Sequence, residues 1–164
     1  MFLLFVFSLN AWCLEIKSVA FDDGKYIPVK YTCDAANMSP PLHWDDVPAA
    51  TKSFALVCDD PDAPYAIWVH WVIFNIPPEK REFREDIPQK AILSDRTIQG
   101  LNDFGKIGYG GPCPPPNKPH RYFFRLYALD TTFLLDEKTT KRELMQAIEG
   151  HILAEAKMVG LYRR

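Results

Sequence analysis

Two carboxylates, two imidazoles and a glycine–proline loop carry the chemistry open to this chain. The first piece is Asp59-Asp60-Pro61-Asp62-Ala63-Pro64, which follows an apolar run. A residue before proline is pushed toward extended backbone, so the Asp60 and Asp62 side chains, two apart, are expected to project to one side. Carboxylates that face one space repel, and such a pair either holds a proton or attracts a cation. The competing reading is a solvated turn in which each Asp caps backbone amides. The second piece is His70, within Ile67-Trp68-Val69-His70-Trp71-Val72-Ile73-Phe74. Strand alternation places His70 with Trp68, Val72 and Phe74 on one bulky apolar face. A histidine there needs a partner or stays neutral, and its plainer reading is a core imidazole bonded to a backbone carbonyl.

The third piece is the loop Gly108-Tyr109-Gly110-Gly111-Pro112-Cys113-Pro114-Pro115-Pro116-Asn117-Lys118-Pro119, followed by His120-Arg121-Tyr122. Glycines let a backbone approach a ligand and aim amides at an anion, and prolines stiffen the loop. It lacks the Lys-Ser/Thr ending of a nucleotide-binding P-loop, and no helix is expected after it. On the next strand His120, Tyr122 and Phe124 share a face, which sets an imidazole and a phenol side by side. The alternative is a proline-rich surface loop leading into a strand with stacked aromatics.

These pieces need strands to position them, and the sequence supplies strands. Fourteen prolines punctuate the chain, clustering at Pro40-Pro41, Pro77-Pro78 and Pro112 to Pro119; proline removes a ladder donor, so these clusters bound strands. Glu15–Phe21 and Tyr26–Thr32 read as an opening hairpin around Asp23-Gly24. Residues 53–59, 66–76 and 121–129 are nearly apolar on both faces, as central strands covered on each side would be. Only the last quarter reads as helix. Thr140-Lys-Arg-Glu143 has the form of a capping box, and Leu144, Ala147, Ile148 and Ile152 recur at helical spacing. Gly150 weakens that run, predicting one broken helix or two short ones. The fold class is mostly antiparallel β, as a sandwich with one or two C-terminal helices.

At 164 residues, with 48% hydrophobic residues and a net charge of −2, the chain supports one domain with a real core. No segment gathers Lys and Arg into a phosphate-neutralising stripe, which argues against nucleic acid as a partner. Met1 to Leu9 is almost wholly Phe, Leu and Val, and Ala11-Trp12-Cys13 comes next with spacing a signal peptidase reads. Residues 1–13 are therefore read as an export signal preceding a domain at 14–164, and the location as periplasmic or secreted. The alternative is a hydrophobic first strand or a mis-set start, with a cytoplasmic location. Cys33 and Cys113 lie in loop-like contexts where a disulfide would form in an oxidising compartment. The bridge would close a loop of about eighty residues and add roughly 3–4 kcal/mol. Cys58, inside an apolar run, reads as a buried thiol.

Taken together, Asp60-Pro61-Asp62-Ala63-Pro64, His70-Trp71, Gly108-Tyr109-Gly110-Gly111-Pro112 and His120-Arg121-Tyr122 resemble the two signature regions of the phosphatidylethanolamine-binding protein family. Tyr31-Thr32-Cys33-Asp34, Ser39-Pro40-Pro41-Leu42 and the ending from Glu143 to Tyr162 resemble its bacterial and archaeal Raf-kinase-inhibitor-like branch. The resemblance runs from about Ile16 to Tyr162 in order. It implies a β-sandwich with a small anion pocket lined by Asp60, Asp62, Pro64, His70, Tyr109, Gly110, Pro112, His120 and Tyr122. It further implies a phosphate-bearing or other anionic small ligand, such as a phospholipid headgroup, with no cofactor and no catalysis. A protein partner and a homodimer are further expectations. Eukaryotic relatives have a longer segment before the first His, and Lys118-Pro119 departs from the usual glycine-rich approach, so kinase inhibition is not carried over. The alternative function is a metal-dependent phosphoester hydrolase using Asp60, Asp62, His70 and His120.

Overall fold

The computed structural model describes residues 13–164; the apolar segment read as an export signal lies outside them except for Cys13. Strands β1 (Glu15–Lys17), β2 (Lys25–Tyr26), β3 (Leu42–Asp45), β4 (Ser53–Asp60), β5 (Trp68–Ile76), β6 (Glu82–Phe83) and β7 (Ile98–Gln99) precede β8 (His120–Leu129). A single described helix, α1 (Lys141–Ile148), and the long strand β9 (Ile152–Tyr162) complete the chain. They form a three-stranded sheet, β1-β3-β6, and a six-stranded sheet, β2-β9-β8-β4-β5-β7. The mostly-β sandwich expected from the sequence is present.

One face of the large sheet packs on the small sheet. There Phe54, Leu56 and Cys58 of β4, Trp71 and Ile73 of β5, and Tyr122, Phe124 and Leu126 of β8 meet Ile16, Leu42, Trp44 and Phe83. The opposite face, with Ala55, Val57, Val72, Phe74, Tyr127 and Leu129, is covered by Leu144 and Ile148 of α1. Every residue of β4 is buried, which is why Phe54 to Cys58 is apolar without alternation. Each large side chain fully removed from water contributes roughly 1.5–3 kcal/mol, so these two layers dominate the stability.

Three local expectations are corrected. The segments flanking Asp23-Gly24 do not form a hairpin: β1 pairs with β3, and β2 runs parallel to β9. The Asp23-Gly24 turn is instead docked on β9, where the Asp23 carboxylate accepts from Val159 N and Gly24 N donates to Val159 O. Pro28 and the 3₁₀ turn Val29–Tyr31 then break the extended run. The helix ends at Ile148, beyond its capping box at Thr140 and Glu143. Gly150, at φ 79°, turns the chain back, and the backbone continues as β9 rather than as a second helix. Glycine takes a positive φ without the steric cost that a side chain brings, and from Ala156 to Gly160 burial alternates with the strand period.

The third correction matters for the site. Cys58 pairs with Trp71 but Asp59 pairs with Val69, so His70 is the extra residue of a β-bulge. The bulge resets the alternation. Trp71 and Ile73 therefore face the small sheet, whereas Val72 and Phe74 face the helix, and His70 does not share a face with Val72 and Phe74.

Candidate functional site

In the large sheet β4 lies between β8 and β5 and runs antiparallel to both. The end of β4 at Asp60 is thus flanked by the beginnings of β5 and β8, at Trp68 and His120. This topology brings residues from three distant stretches to one sheet end. Asp60 is 3% exposed, and His70 and His120 are each 2% exposed.

His120 Nδ1 lies 2.7 Å from Asp60 Oδ2. The other Asp60 oxygen accepts from the backbone N–H of Asp62 at 2.8 Å. That second bond is an Asx-type turn, and it swings the chain away from the strand line. Asp62 consequently does not join Asp60. Its carboxylate accepts from Arg121 Nε and Nη2, each at 2.9 Å, and from Arg121 N. The bidentate guanidinium lowers the Asp62 pKa to about 2.

The Nδ1–H of His70 donates to the Gly110 carbonyl at 2.6 Å, and Gly110 N donates back to the His70 carbonyl. The plainer reading of His70, an imidazole bonded to a carbonyl, is thereby realised, but at the wall of a cavity. Burial lowers the His70 pKa, against a smaller opposing effect of the Gly110 carbonyl. The ring is held edge-on between Tyr122, at 5.1 Å, and Phe104, at 5.3 Å. Gly110 and Gly111 are glycines for lack of space: a Cβ would meet the Phe104 ring at the first and Asn37 and the Tyr31 carbonyl at the second. The loop is further pinned by Gly111 N to Asn37 Oδ1, Cys33 N to the Pro112 carbonyl, and the Cys33–Cys113 disulfide.

Around these groups lies a cavity of about 290 Å³, lined by Asp60, Pro64, Trp68, His70, Phe104, Cys113 and His120, with Ala63, Tyr65, Ala66, Pro114 and Pro115 at its remaining walls. Four of the nine residues expected in the pocket therefore line it: Asp60, Pro64, His70 and His120. The other five stand behind or beside it. Tyr109 is buried, donates to the Tyr31 carbonyl and packs on Trp71; Gly110 holds His70; Pro112 holds Cys33. Tyr122 backs His70, and burial, then the Asp60 charge, push its phenol up. Its buried hydroxyl has no hydrogen bond. The sequence reading missed Trp68 and Phe104 as lining. Trp68 had a signal, since it shares a face with His70; Phe104 arrives on a loop with none.

Two imidazoles, His70 and His120, line the site together. Each imidazole has its Nδ1 engaged inside the protein, leaving Nε2 for the cavity. Among the described residues no three His, Cys, Asp or Glu side chains gather so as to hold a metal ion. A larger, open cleft of about 1070 Å³ lies over the small sheet; in it Glu85 is bonded to Lys30 and Tyr31, and Arg84 lies 3.6 Å from Glu82.

Known proteins share this architecture. A family model described as phosphatidylethanolamine-binding protein matches residues 17–163. A UPF0098 protein of Methanothermobacter thermautotrophicus is 55% identical over 151 residues, 92% of this chain and 99% of that protein. Another from Aquifex aeolicus is 45% identical over 161 residues, 97% of this chain and 94% of that protein. Among solved structures, the phosphatidylethanolamine-binding protein homologue CT736 of Chlamydia trachomatis superposes with a TM-score of 0.86 at 38% identity, covering 94% of this chain and 99% of that one. E. coli YbcL, described as a new member of the mammalian PEBP family, gives 0.86 at 32%, covering 92% and 98%.

Proposed function

This chain belongs to the phosphatidylethanolamine-binding protein family, and from that premise we propose that its pocket binds the phosphate of a small headgroup-like molecule without turning it over. The observation that carries this reading is the buried Asp60–His120 pair at the cavity wall. The carboxylate fixes the ring with Nε2 toward the cavity, and in its imidazolium form that ring offers a charge-assisted N–H to an oxyanion. The Trp68 and Phe104 rings at the same cavity suit the alkyl or ammonium part of such a ligand. A cavity of about 290 Å³ takes a headgroup and not long acyl chains, so a phospholipid would be met at its polar end.

The groups around the cavity favour holding over reacting. Cys113 has its sulfur in the disulfide, and the Cys58 thiol is buried and pushed well up. Tyr65, Ile67, Trp68 and Phe104 are exposed near the mouth, which supports a partner protein reading the occupied pocket at its rim. The Cys33–Cys113 bridge supports an oxidising location, periplasmic or extracellular.

The test is to follow the imidazole resonances of His70 and His120 during titration with phosphorylethanolamine, with EDTA throughout. Saturable shifts at both rings, abolished by His120→Ala in a protein that keeps its folded spectrum, are expected. Binding that is unaltered by His120→Ala, or no binding to the native protein, would overturn the reading.

A further inference from the structure

The loop beside the pocket is held in two different ways along its length. Up to Pro112 it is tied by hydrogen bonds. Tyr109 Oη donates to the Tyr31 carbonyl, Gly110 N to the His70 carbonyl and Gly111 N to Asn37 Oδ1, while the Pro112 carbonyl accepts from Cys33 N. Beyond Pro112 those ties stop. Four of the seven residues 113–119 are prolines, at 114, 115, 116 and 119, and proline has no N–H to give. Among the described residues no backbone hydrogen bond joins 113–119 to the rest of the molecule. Only Pro114 of this stretch is buried, and Asn117 turns the chain at φ 108°, a conformation that costs a residue with a side chain.

This stretch nevertheless supplies a wall of the cavity, through Cys113, Pro114 and Pro115. Between Pro112 and the start of β8 at His120, the tie that remains is the Cys33–Cys113 disulfide. The two imidazoles do not depend on it. His70 is fastened to Gly110, on the tied half of the loop, and His120 to Asp60. Loss of the bridge therefore frees the wall and leaves both rings in place. The prolines keep the freed wall stiff, so it swings about its ends as a unit.

We propose that residues 113–119 are a lid on the pocket and that the Cys33–Cys113 bridge is its redox latch, closed over ligand when oxidised and open when reduced. Cys113 is exposed and Cys33 half-buried, so the bridge is within reach of a dithiol reductant such as a Cys-x-x-Cys protein. A thiolate of that reductant attacks the Cys113 sulfur, the S–S bond breaks, and Cys33 leaves as a thiolate that takes up a proton. The second thiol of the reductant attacks the mixed disulfide, which releases Cys113 as a thiol and leaves the reductant as a disulfide. Two electrons and two protons pass to the protein, and exchange with a disulfide oxidant reverses the step. In an oxidising compartment the latch stays closed until such a dithiol reaches it. The effect on ligand rests on reading the cavity as a headgroup pocket; the motion of the wall does not.

The test compares the oxidised chain with the chain kept in dithiothreitol, each titrated with phosphorylethanolamine in EDTA. NMR order parameters of the Cys113, Asn117 and Lys118 amides are measured alongside. Reduction should weaken binding by about fivefold or more, the lower end of ordinary coupling between sites. It should also lower the three order parameters while the folded spectrum persists, and reoxidation should restore both. Cys33→Ser with Cys113→Ser should bind as the reduced chain does and ignore dithiothreitol. Unchanged affinity, or unchanged order parameters, in the reduced and folded chain would overturn the latch. Unfolding on reduction would overturn it too, and make the bridge a staple. If even the oxidised chain fails to bind phosphorylethanolamine, the headgroup reading falls, and the order parameters alone decide whether the wall is latched.

Discussion

Asp59 and Asp60 are neighbours on β4, 1% and 3% exposed, and they point to opposite faces of the same sheet. Asp59 turns to the helix side, where it pairs with Lys141 at the start of α1 and has Arg125 at 3.9 Å. Asp60 turns to the pocket and pairs with His120. Both are carboxylates removed from water, which is costly unless a partner compensates. The difference lies in that partner. Lys and Arg keep their charge at all ordinary pH, so Asp59 is a permanent strut holding the helix on the sheet. The imidazole of His120, bonded to Asp60 through Nδ1, keeps Nε2 for the cavity, so Asp60 orients a group that a ligand can meet. Burial and residue type alone would not separate a structural carboxylate from a functional one.

The pocket side is also fastened covalently, and breaking that fastening should have the largest effect. Replacing Cys33 and Cys113 together with Ser removes a cross-link spanning 80 residues, worth about 4 kcal/mol in the chain-entropy account. Urea unfolding should show that loss, and phosphate affinity should fall with it because Cys113 is part of the cavity wall. Lys141→Ala should come next. It leaves a buried carboxylate with only the more distant Arg125 and should cost about 3 kcal/mol, yet phosphate affinity should change less than twofold. A tenfold loss of affinity in Lys141→Ala would mean that the two faces are coupled and the division drawn between them is wrong.

Asp60→Asn should invert that pattern. The Asn amide oxygen can still accept from His120 Nδ1–H, so stability should fall by only about 1 kcal/mol. Phosphate affinity, read by titration at pH 6, should fall by about tenfold to a hundredfold, the range of a lost charge-assisted hydrogen bond. If Asp60→Asn unfolds the protein as readily as Lys141→Ala while binding is kept, Asp60 is a second strut.

The sequence carried much of this arrangement and missed it at definable points. The central strands were legible because β4, β5 and β8 are nearly apolar on both faces, and the capping box at Thr140 marked the helix start. The pairing partners were not. A run such as residues 152–162, whose apolar residues fit either a helical or a strand period, is settled by a tertiary neighbour. Here that neighbour is β8, with which β9 pairs along its length. The face of His70 was misjudged because one bulged residue flips the phase of everything after it, and a bulge leaves no mark in residue type. Asp60, His70, Pro64 and His120 could be gathered from their motifs. Phe104 could not, since its loop reaches the cavity by folding back through Asn102, whose side chain bonds the Gly108 carbonyl and the Phe104 and Lys106 amides.

Asp62 gives the smallest effect and draws the boundary of the site most finely. Spacing and family resemblance both put it beside Asp60, whereas its oxygens are taken by Arg121. Its pKa, lowered to about 2, lies below the value near 3.9 expected of an unfolded Asp. A depressed carboxylate stabilises the fold above the unfolded value and loses that contribution as pH falls from about 4 to about 2. The pair is partly exposed, at 54% for the Arg121 side chain and 23% for Asp62, so its worth is below about 1 kcal/mol. Asp62→Asn should therefore be slightly less stable than the native chain at pH 7 and should converge on it near pH 2, in urea unfolding at each pH. Phosphate affinity should stay within twofold, because the carboxylate does not line the cavity. A tenfold fall in affinity for Asp62→Asn would show that the Asp62–Arg121 pair opens to meet the ligand, and the site would then extend from the pocket floor to this surface pair.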